Sequence, residues 1–544
     1  TTPLWQPGGP VAEAGYALPP GYAMLNGTSM SSPQATGAAA LLLSAAKAND
    51  LGVTPAALRR AMYTAANKID GVPAAGQGNG LVDVPGTWNY LKGGVETRKY
   101  KSDAPVCTPL SGFLATPNRG AGIYNRCASN KGGLKAGQSK TYTVKITRTT
   151  GPARPVKHTL RWVNNDGTFR SDDSVTLPLN KAVSVPVQVK AGIGVHSAIL
   201  EVDDAKTSTV DFEIMNAVVV SNDTKAPSYS FATEGKVDRN SFKSYFVTVP
   251  EGAAALQVNL SGIATGSQTR FIAINPYGLP VEDTSSLNCY TNRPPGAECK
   301  PQERDYQNPL PGIWEIEVES RRTSPALENP FELTARVQGV KVDPAVIQLP
   351  TVKAGQATPV TWTVKNTFGP VNVTGQGGPL GSSVSSRPTI ADQESQKYTI
   401  AVPAGATRLD VSIGNPSDPG ADLDLFVRLN GQVVGQSADG DSEEAVSLAN
   451  PAAGTYEVEV VGFAVPAGTT QYDYRDVFYS PALGSVSVPK KFVSLANGAS
   501  TTIAGTVTAS VAPVAGRQLF GEMTVVTDEG AVVGRGNVVI GAVS

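Results

Sequence analysis

The feature that most constrains this chain is an internal duplication. Lys243–Val258 (KSYFVTVPEGAAALQV) aligns with Lys397–Val411 (KYTIAVPAGATRLDV) with one residue of slip, and Asn308–Val318 (NPLPGIWEIEV) matches Asn450–Val460 (NPAAGTYEVEV). Each run alternates apolar and polar residues, the period of a strand with one buried face, so two copies of one β-module are expected. A second repeat surrounds the first: Leu134–Lys145 (LKAGQSKTYTVK) matches Val352–Lys365 (VKAGQATPVTWTVK). The later strands of this outer unit return only at Ser500–Val507 and Gly521–Val526, which echo Val183–Val189 and Ala198–Val202. The second copy of the inner module is therefore expected to be inserted within the second copy of the outer one. With 544 residues, 56 Gly, 41 Pro and only 17% charged residues, the composition fits three to five domains made of short strands and many turns.

The inner pattern, a strand ending in V-P-x-G followed later by P-x-x-G-x-[YW], resembles the pre-peptidase C-terminal domains, small jelly-roll modules behind secreted proteases. The second copy also has their Ala421-Asp422-Leu423-Asp424-Leu425-Phe426 strand, whereas the first has Phe271-Ile272-Ala273-Ile274-Asn275 in its place. The outer unit, with strand-like runs starting at Thr141, Thr159, Val183 and Ser197, resembles a fibronectin III-like β-sandwich, the immunoglobulin type being the related alternative. The expected division is a disulfide-tied linker at 96–130, a sandwich at 131–222 and a jelly roll at 223–340. A second sandwich at 341–384 and 480–544 then encloses a second jelly roll at 385–479.

The first 95 residues read differently. Gly27-Thr28-Ser29-Met30-Ser31-Ser32-Pro33 leads into Gln34-Ala35-Thr36-Gly37-Ala38-Ala39-Ala40-Leu41-Leu42-Leu43. Gly27 permits a tight turn before a hydroxyl, and Pro33 is expected in the first helical turn, placing Ser29 at a helix N-terminus where developing negative charge is favoured. The continuous run Ala38–Leu43 predicts a helix from about Ser29 to Ala48 buried on most sides, with Ser29 on a buried, rigid start. These residues resemble the active-site serine motif G-T-S-M-[AS]-x-P of the subtilisin-like serine proteases (the subtilase, peptidase S8 family), without a departure. With Gln34 after the proline, the stretch is most similar to the tripeptidyl-peptidase II branch. The resemblance implies that Ser29 is the nucleophile and that its own backbone N–H forms part of the oxyanion hole, supported by Gly27, Thr28, Met30 and Pro33. The fold class expected is thus multidomain: the C-terminal part of an α/β subtilisin-like catalytic domain, residues 1–95, followed by all-β sandwich and jelly-roll modules.

A serine hydroxyl needs a histidine to take its proton and an acid to orient that histidine. In the family the Asp, the His and the oxyanion Asn all precede the serine, and 28 residues precede Ser29 here. The two histidines, His158 and His196, lie downstream in strand-like stretches and are read as structural; the repeat alignment puts His196 near Leu519, a packing position. The partners expected are a protein or peptide substrate and an N-terminal segment carrying the Asp and His, without which this chain is nearly inactive. The alternative is a non-catalytic binding or structural tail of a secreted protease, or a degenerate protease.

Thr54-Pro55 predicts a capped second helix, and the resemblance to the protease family implies a short further one at Pro85–Leu91. Gly76-Gln77-Gly78-Asn79-Gly80 lacks the Lys-Ser/Thr of a phosphate loop and follows a helix, and the resemblance to the protease family implies that it packs against the core. Cys107 with Cys127 and Cys289 with Cys299 form two local pairs without metal-site spacing, read as disulfides of an extracellular protein against the alternative of four free thiols. Asp418, Asp422 and Asp424, and Asp439, Asp441, Glu443 and Glu444, are weak calcium candidates, with solvated turn carboxylates the plainer reading; no cofactor is otherwise implied. Asn26, Asn222, Asn259 and Asn372 formally match the glycosylation sequon. A net charge of -1 offers no field for nucleic acid, and no membrane segment is evident.

Overall fold

The computed structural model describes residues 2–3, 22–23, 27–281, 302–321 and 324–544. Cys289 and Cys299 lie outside these residues, as does Asn26. Within the expected N-terminal loop, Thr2–Pro3 and Tyr22–Ala23 pair antiparallel.

Four helices follow: α1 (Thr28–Ala48), α2 (Pro55–Ala65), α3 (Ala74–Gln77) and α4 (Val84–Gly93). The caps explain two of the starts. Thr54 Oγ1 accepts from the Ala57 N–H at 3.1 Å, and Asp83 Oδ1 accepts from Gly86 N–H at 2.9 Å, each satisfying a donor that the helix cannot. Leu42 of α1 packs with Leu58 and Ala61 of α2 and Leu91 of α4. The expectation that α1 is buried on most sides fails: only Leu42 and Ala46 are buried, while Leu41 and Leu43 are 61% and 44% exposed. Two short helices, α2 and α4, cover one stripe of a 21-residue helix and leave its other faces open.

The first β-sandwich begins earlier than expected. Tyr100–Cys107, within the stretch read as a linker, pairs antiparallel with Ser139–Arg148 and, at its end, parallel with Tyr124–Asn125. Tyr124–Asn125 also pairs parallel with Phe212–Val220, so residues 100–125 stitch the two sheets together. The 96–130 linker is therefore corrected to a structural part of the sandwich, with Cys107 and Cys127 joined by a disulfide. Its core holds Val144, Ile146, Leu160, Val187, Leu200 and Val218, which alternate with outward residues along their strands.

Next come two four-stranded sheets enclosing Leu256, Phe271, Trp314, Ile316 and Leu333. A second large sandwich is built on Trp362, Val364, Leu519, Met523 and Val538. Its strands come from residues 340–386 and 473–543, and residues 389–471 form the strands between them. These intervening strands have their own core of Ile400, Leu423, Leu425, Tyr456 and Tyr472.

Candidate active-site serine and its setting

Gly27 precedes α1 with φ 149°, a conformation costly to a residue with a Cβ, and its carbonyl accepts from the N–H groups of Met30 (3.0 Å) and Ser31 (3.3 Å). Ser29 is consequently the second helical residue, and its N–H has no carbonyl one turn earlier to bond. It stands at the positive end of a 21-residue helix, where an oxyanion is stabilised. Two expectations are corrected. Ser29 is exposed rather than buried, because among the described residues no element covers this end of α1. Pro33 is the sixth helical residue, past the first turn, so its missing N–H leaves the Ser29 carbonyl without its usual intrahelical donor.

Neither histidine serves this serine. His158 is fully buried; its Nδ1 donates to the Val156 carbonyl at 3.0 Å and its Nε2 accepts from Tyr100 Oη at 2.9 Å. Burial pushes its pKa down, so the ring is neutral and structural. His196 is half-buried where Leu519 is fully buried, with Nδ1 2.5 Å from Asp166 Oδ2 and Nε2 3.2 Å from the Gly192 carbonyl, a structural setting. Burial would raise Asp166, yet hydrogen bonds from Thr168 and His196 hold it below the ordinary carboxylate value.

The helical segment is docked on the outer face of the first sandwich. The Ala75 N–H donates to Ser197 Oγ (2.8 Å), Asn79 Nδ2 to Glu213 Oε2 (2.8 Å) and Arg60 Nη1 to the Val210 carbonyl (2.8 Å). The glycine-rich stretch closes tightly on its own segment: a Cβ on Gly80, at φ 109°, would sit 2.3 Å from the Asn67 carbonyl oxygen. It packs, as its sequence context implied.

That docking face carries an acidic patch the sequence reading missed. Glu201 and Glu213 are directly opposed across an antiparallel pair, with Asp203 and Asp211 at the end of the same hairpin. Burial pushes Glu213, Asp203 and Asp211 up, and neighbouring carboxylates add to the rise for Glu213 and Asp203. Arg161 (2.6 Å) and Lys68 (3.9 Å) reach Glu201, and Arg98 Nη1 binds Asp204 at 2.6 Å with both side chains almost fully buried. The signal was present in the alternation: Val202 and Ile214 point into the core, so Glu201, Asp203 and Glu213 must point out.

The acidic candidates of the inserted module partly converge. Asp439, Asp441 and Glu444 have carboxylate oxygens within 4.8 Å of one another. Asp422 is pushed up by burial and by Asp439, Glu444 and Asp441, and its Oδ1 is buried without a hydrogen-bond partner. Asp424 rises through burial, Asp422 and Glu444. Asp418 leaves the group: its carboxylate accepts from the N–H groups of Gly420 (3.0 Å) and Ala467 (2.9 Å), fixing a turn. Glu443 likewise accepts from the Asn415 N–H at 3.2 Å. The oxygen-rich set that remains suits a hard cation, although Glu444 already accepts from Ser437 Oγ and the Asp439 N–H.

Three family models match this chain: the subtilase family over residues 11–80, the Ig-like domain in actinomycete serine proteases over 101–220, and the bacterial pre-peptidase C-terminal domain over 394–462. The second corrects the fibronectin III-like expectation to an Ig-like domain, and its start agrees with the strand at Tyr100. Pyrolysin of Pyrococcus furiosus is 26% identical over 467 residues, which is 82% of this chain and 31% of that protein. Tripeptidyl-peptidase 2 of Arabidopsis thaliana is 41% identical over 88 residues, 16% of this chain and 6% of the relative. The crystal structure of tripeptidyl peptidase 2 superimposes with a TM-score of 0.53 at 16% identity, covering 95% of this chain and 46% of that one, a likeness of fold. The chain thus spans about a third of the length of pyrolysin. The serine motif, its helix and these matches make this chain similar to the subtilisin-like serine proteases of the subtilase family. Its likeness to tripeptidyl-peptidase II is one of sequence over 88 residues and of fold across most of the chain.

Proposed function

We propose that this chain is the serine-bearing, C-terminal portion of a secreted peptidase in which Ser29 attacks the scissile carbonyl of a protein or peptide. The Ser29 Oγ forms the new C–O bond, its proton passes to a histidine, and the Ser29 N–H donates to the carbonyl oxygen as it becomes an oxyanion. The histidine, its orienting Asp and a second oxyanion donor, Asn, are supplied by a segment N-terminal to the serine. The observation that carries this reading is an exposed serine as second residue of a 21-residue helix, reached through a glycine at positive φ.

Without its partners Ser29 is an ordinary alcohol, so the isolated chain is expected to be nearly inactive. Secretion rests on the company of the Ig-like and pre-peptidase modules; no helix among the described residues is long and apolar enough to cross a membrane. The test is reaction with a fluorophosphonate probe, and hydrolysis of casein and of a free-N-terminus tripeptide coumarin amide, by the chain combined with its upstream segment. Labelling and turnover that vanish in Ser29→Ala are expected. A folded, complete complex that neither labels nor cleaves would leave a binding tail as the function.

A further inference from the structure

A cleft of about 750 Å3 lies where the Ig-like sandwich meets the first jelly-roll module, far in sequence from Ser29. One wall is the disulfide-closed loop, including Arg126, Cys127 and Lys131; the facing wall includes Lys225, Pro250 and Ile313. The Arg126 backbone is fixed beside the disulfide, its N–H donating to the Cys107 carbonyl at 2.8 Å. Its side chain, only 10% exposed, has its guanidinium carbon 5.9 Å from the centre of the Phe246 ring, and Nη1 makes a long 3.4 Å ion pair with Glu315. Nε and Nη2 are buried and have no hydrogen-bond partner.

A guanidinium cannot shed its charge, so these two buried donors are left unsatisfied at the wall of the cleft, at a cost in free energy. Nε and Nη2 form the edge that takes a carboxylate side-on through two parallel hydrogen bonds. The contact with Glu315 uses Nη1 alone, so the Nε–Nη2 edge is left over for a ligand in the cleft while that ion pair is kept. Asp223 and Glu251 also line the cleft, Glu251 already paired with Lys131 at 2.9 Å. With Glu315, three acids balance Arg126, Lys131 and Lys225, which favours a singly charged ligand over a phosphate dianion.

We propose that this cleft binds the free α-carboxylate at the end of a peptide, gripped by Arg126, with the terminal side chain against Pro250 and Ile313. The site does not depend on the peptidase reading, although cleavage at Ser29 would generate such chain ends. It is tested by calorimetric titration of the 544-residue chain with N-acetyl-Ala-Ala-Phe, its C-terminal amide, and N-acetyl-Ala-Asp-Phe-amide. The free acid is expected to bind at least about tenfold more tightly than its amide, the scale of a charge-assisted bidentate contact. Arg126→Lys keeps the charge without the fork and is expected to lose most of that preference; its melting curve separates this from loss of fold. Equal binding of acid and amide, no binding of either at millimolar concentration, or an unchanged preference in a folded Arg126→Lys would overturn the proposal. Equal binding of the aspartyl amide would overturn the chain-end assignment in favour of acidic side chains.

Discussion

Glu213→Gln tests whether the helical segment is docked against an electrostatic penalty. The Glu213 carboxylate receives one hydrogen bond from Asn79, while its Oε1 is buried with no partner. Glu201 stands directly opposite on the neighbouring strand, and like charges so placed cost about 0.2–1 kcal/mol. An amide keeps an oxygen for Asn79 and turns a donor toward Glu201, so both defects are relieved together. The expected gain is about 1 kcal/mol at pH 8, roughly fivefold in the opening equilibrium. Because the Glu213 pKa is raised in the folded state, the penalty is complete above the folded pKa and absent below the unfolded one. Stability from this source therefore falls as pH rises between the two. Hydrogen exchange of the amides of α2 and α4, corrected for intrinsic rates, should show about fivefold greater protection in the variant at pH 8 and little difference at pH 4. Equal protection at pH 8, or faster exchange in the variant, would refute the reasoning.

Arg98→Gln leaves Asp204 buried without its partner and is expected to cost about 3–5 kcal/mol in the urea unfolding of the Ig-like sandwich, with Asp204→Asn restoring part of the loss in the double variant. Asp422→Asn removes one charge from a crowd of carboxylates and is expected to raise the melting temperature of the inserted module in EDTA by the equivalent of about 0.5–1 kcal/mol. Calcium that stabilises the parent chain and not this variant would mark the cluster as a hard-cation site; identical responses would assign it to solvated turns.

Local rules carried the sequence reading where one residue decides one bond. Thr54 caps a helix whose start could be placed from its side chain and the proline that follows. The duplicated strands placed the inserted module because both copies bury the same faces: Ile316 and Val458 are each fully buried at matching positions. What period-two alternation cannot say is which element covers an outward face. Glu213 and Ser197 were thus invisible as docking residues, although their outward direction followed from the pattern. Two-residue strands escaped for another reason: Tyr124–Asn125 is too short to have a period, and its parallel pairing joins residues about ninety positions apart. Burial of α1 was overestimated because an apolar run reports what a helix can bury, not how much surface its neighbours present.

Two junctions of this chain are physically unlike, and that difference bears on where it can respond to its surroundings. The inserted module shares backbone with its host: Asp473–Ser487 pairs with Arg408–Gly414 through its first half and with Ser500–Ala509 through its end. Phe478 on that strand packs in the inserted core, Val486 in the host core, and Leu483 touches both. Arg517 of the host binds Asp476 at 2.5 Å with both side chains nearly buried. Relative motion there would bend a continuous sheet and break two cores, so the acidic cluster is held at a set distance from the host sandwich. The serine-bearing helices instead meet the Ig-like sandwich through side-chain hydrogen bonds and carboxylates whose pKa values are raised by burial. A joint made of titrating contacts changes strength with pH while a shared strand does not, which places a pH-adjustable element of this protein where its helical segment meets the Ig-like sandwich.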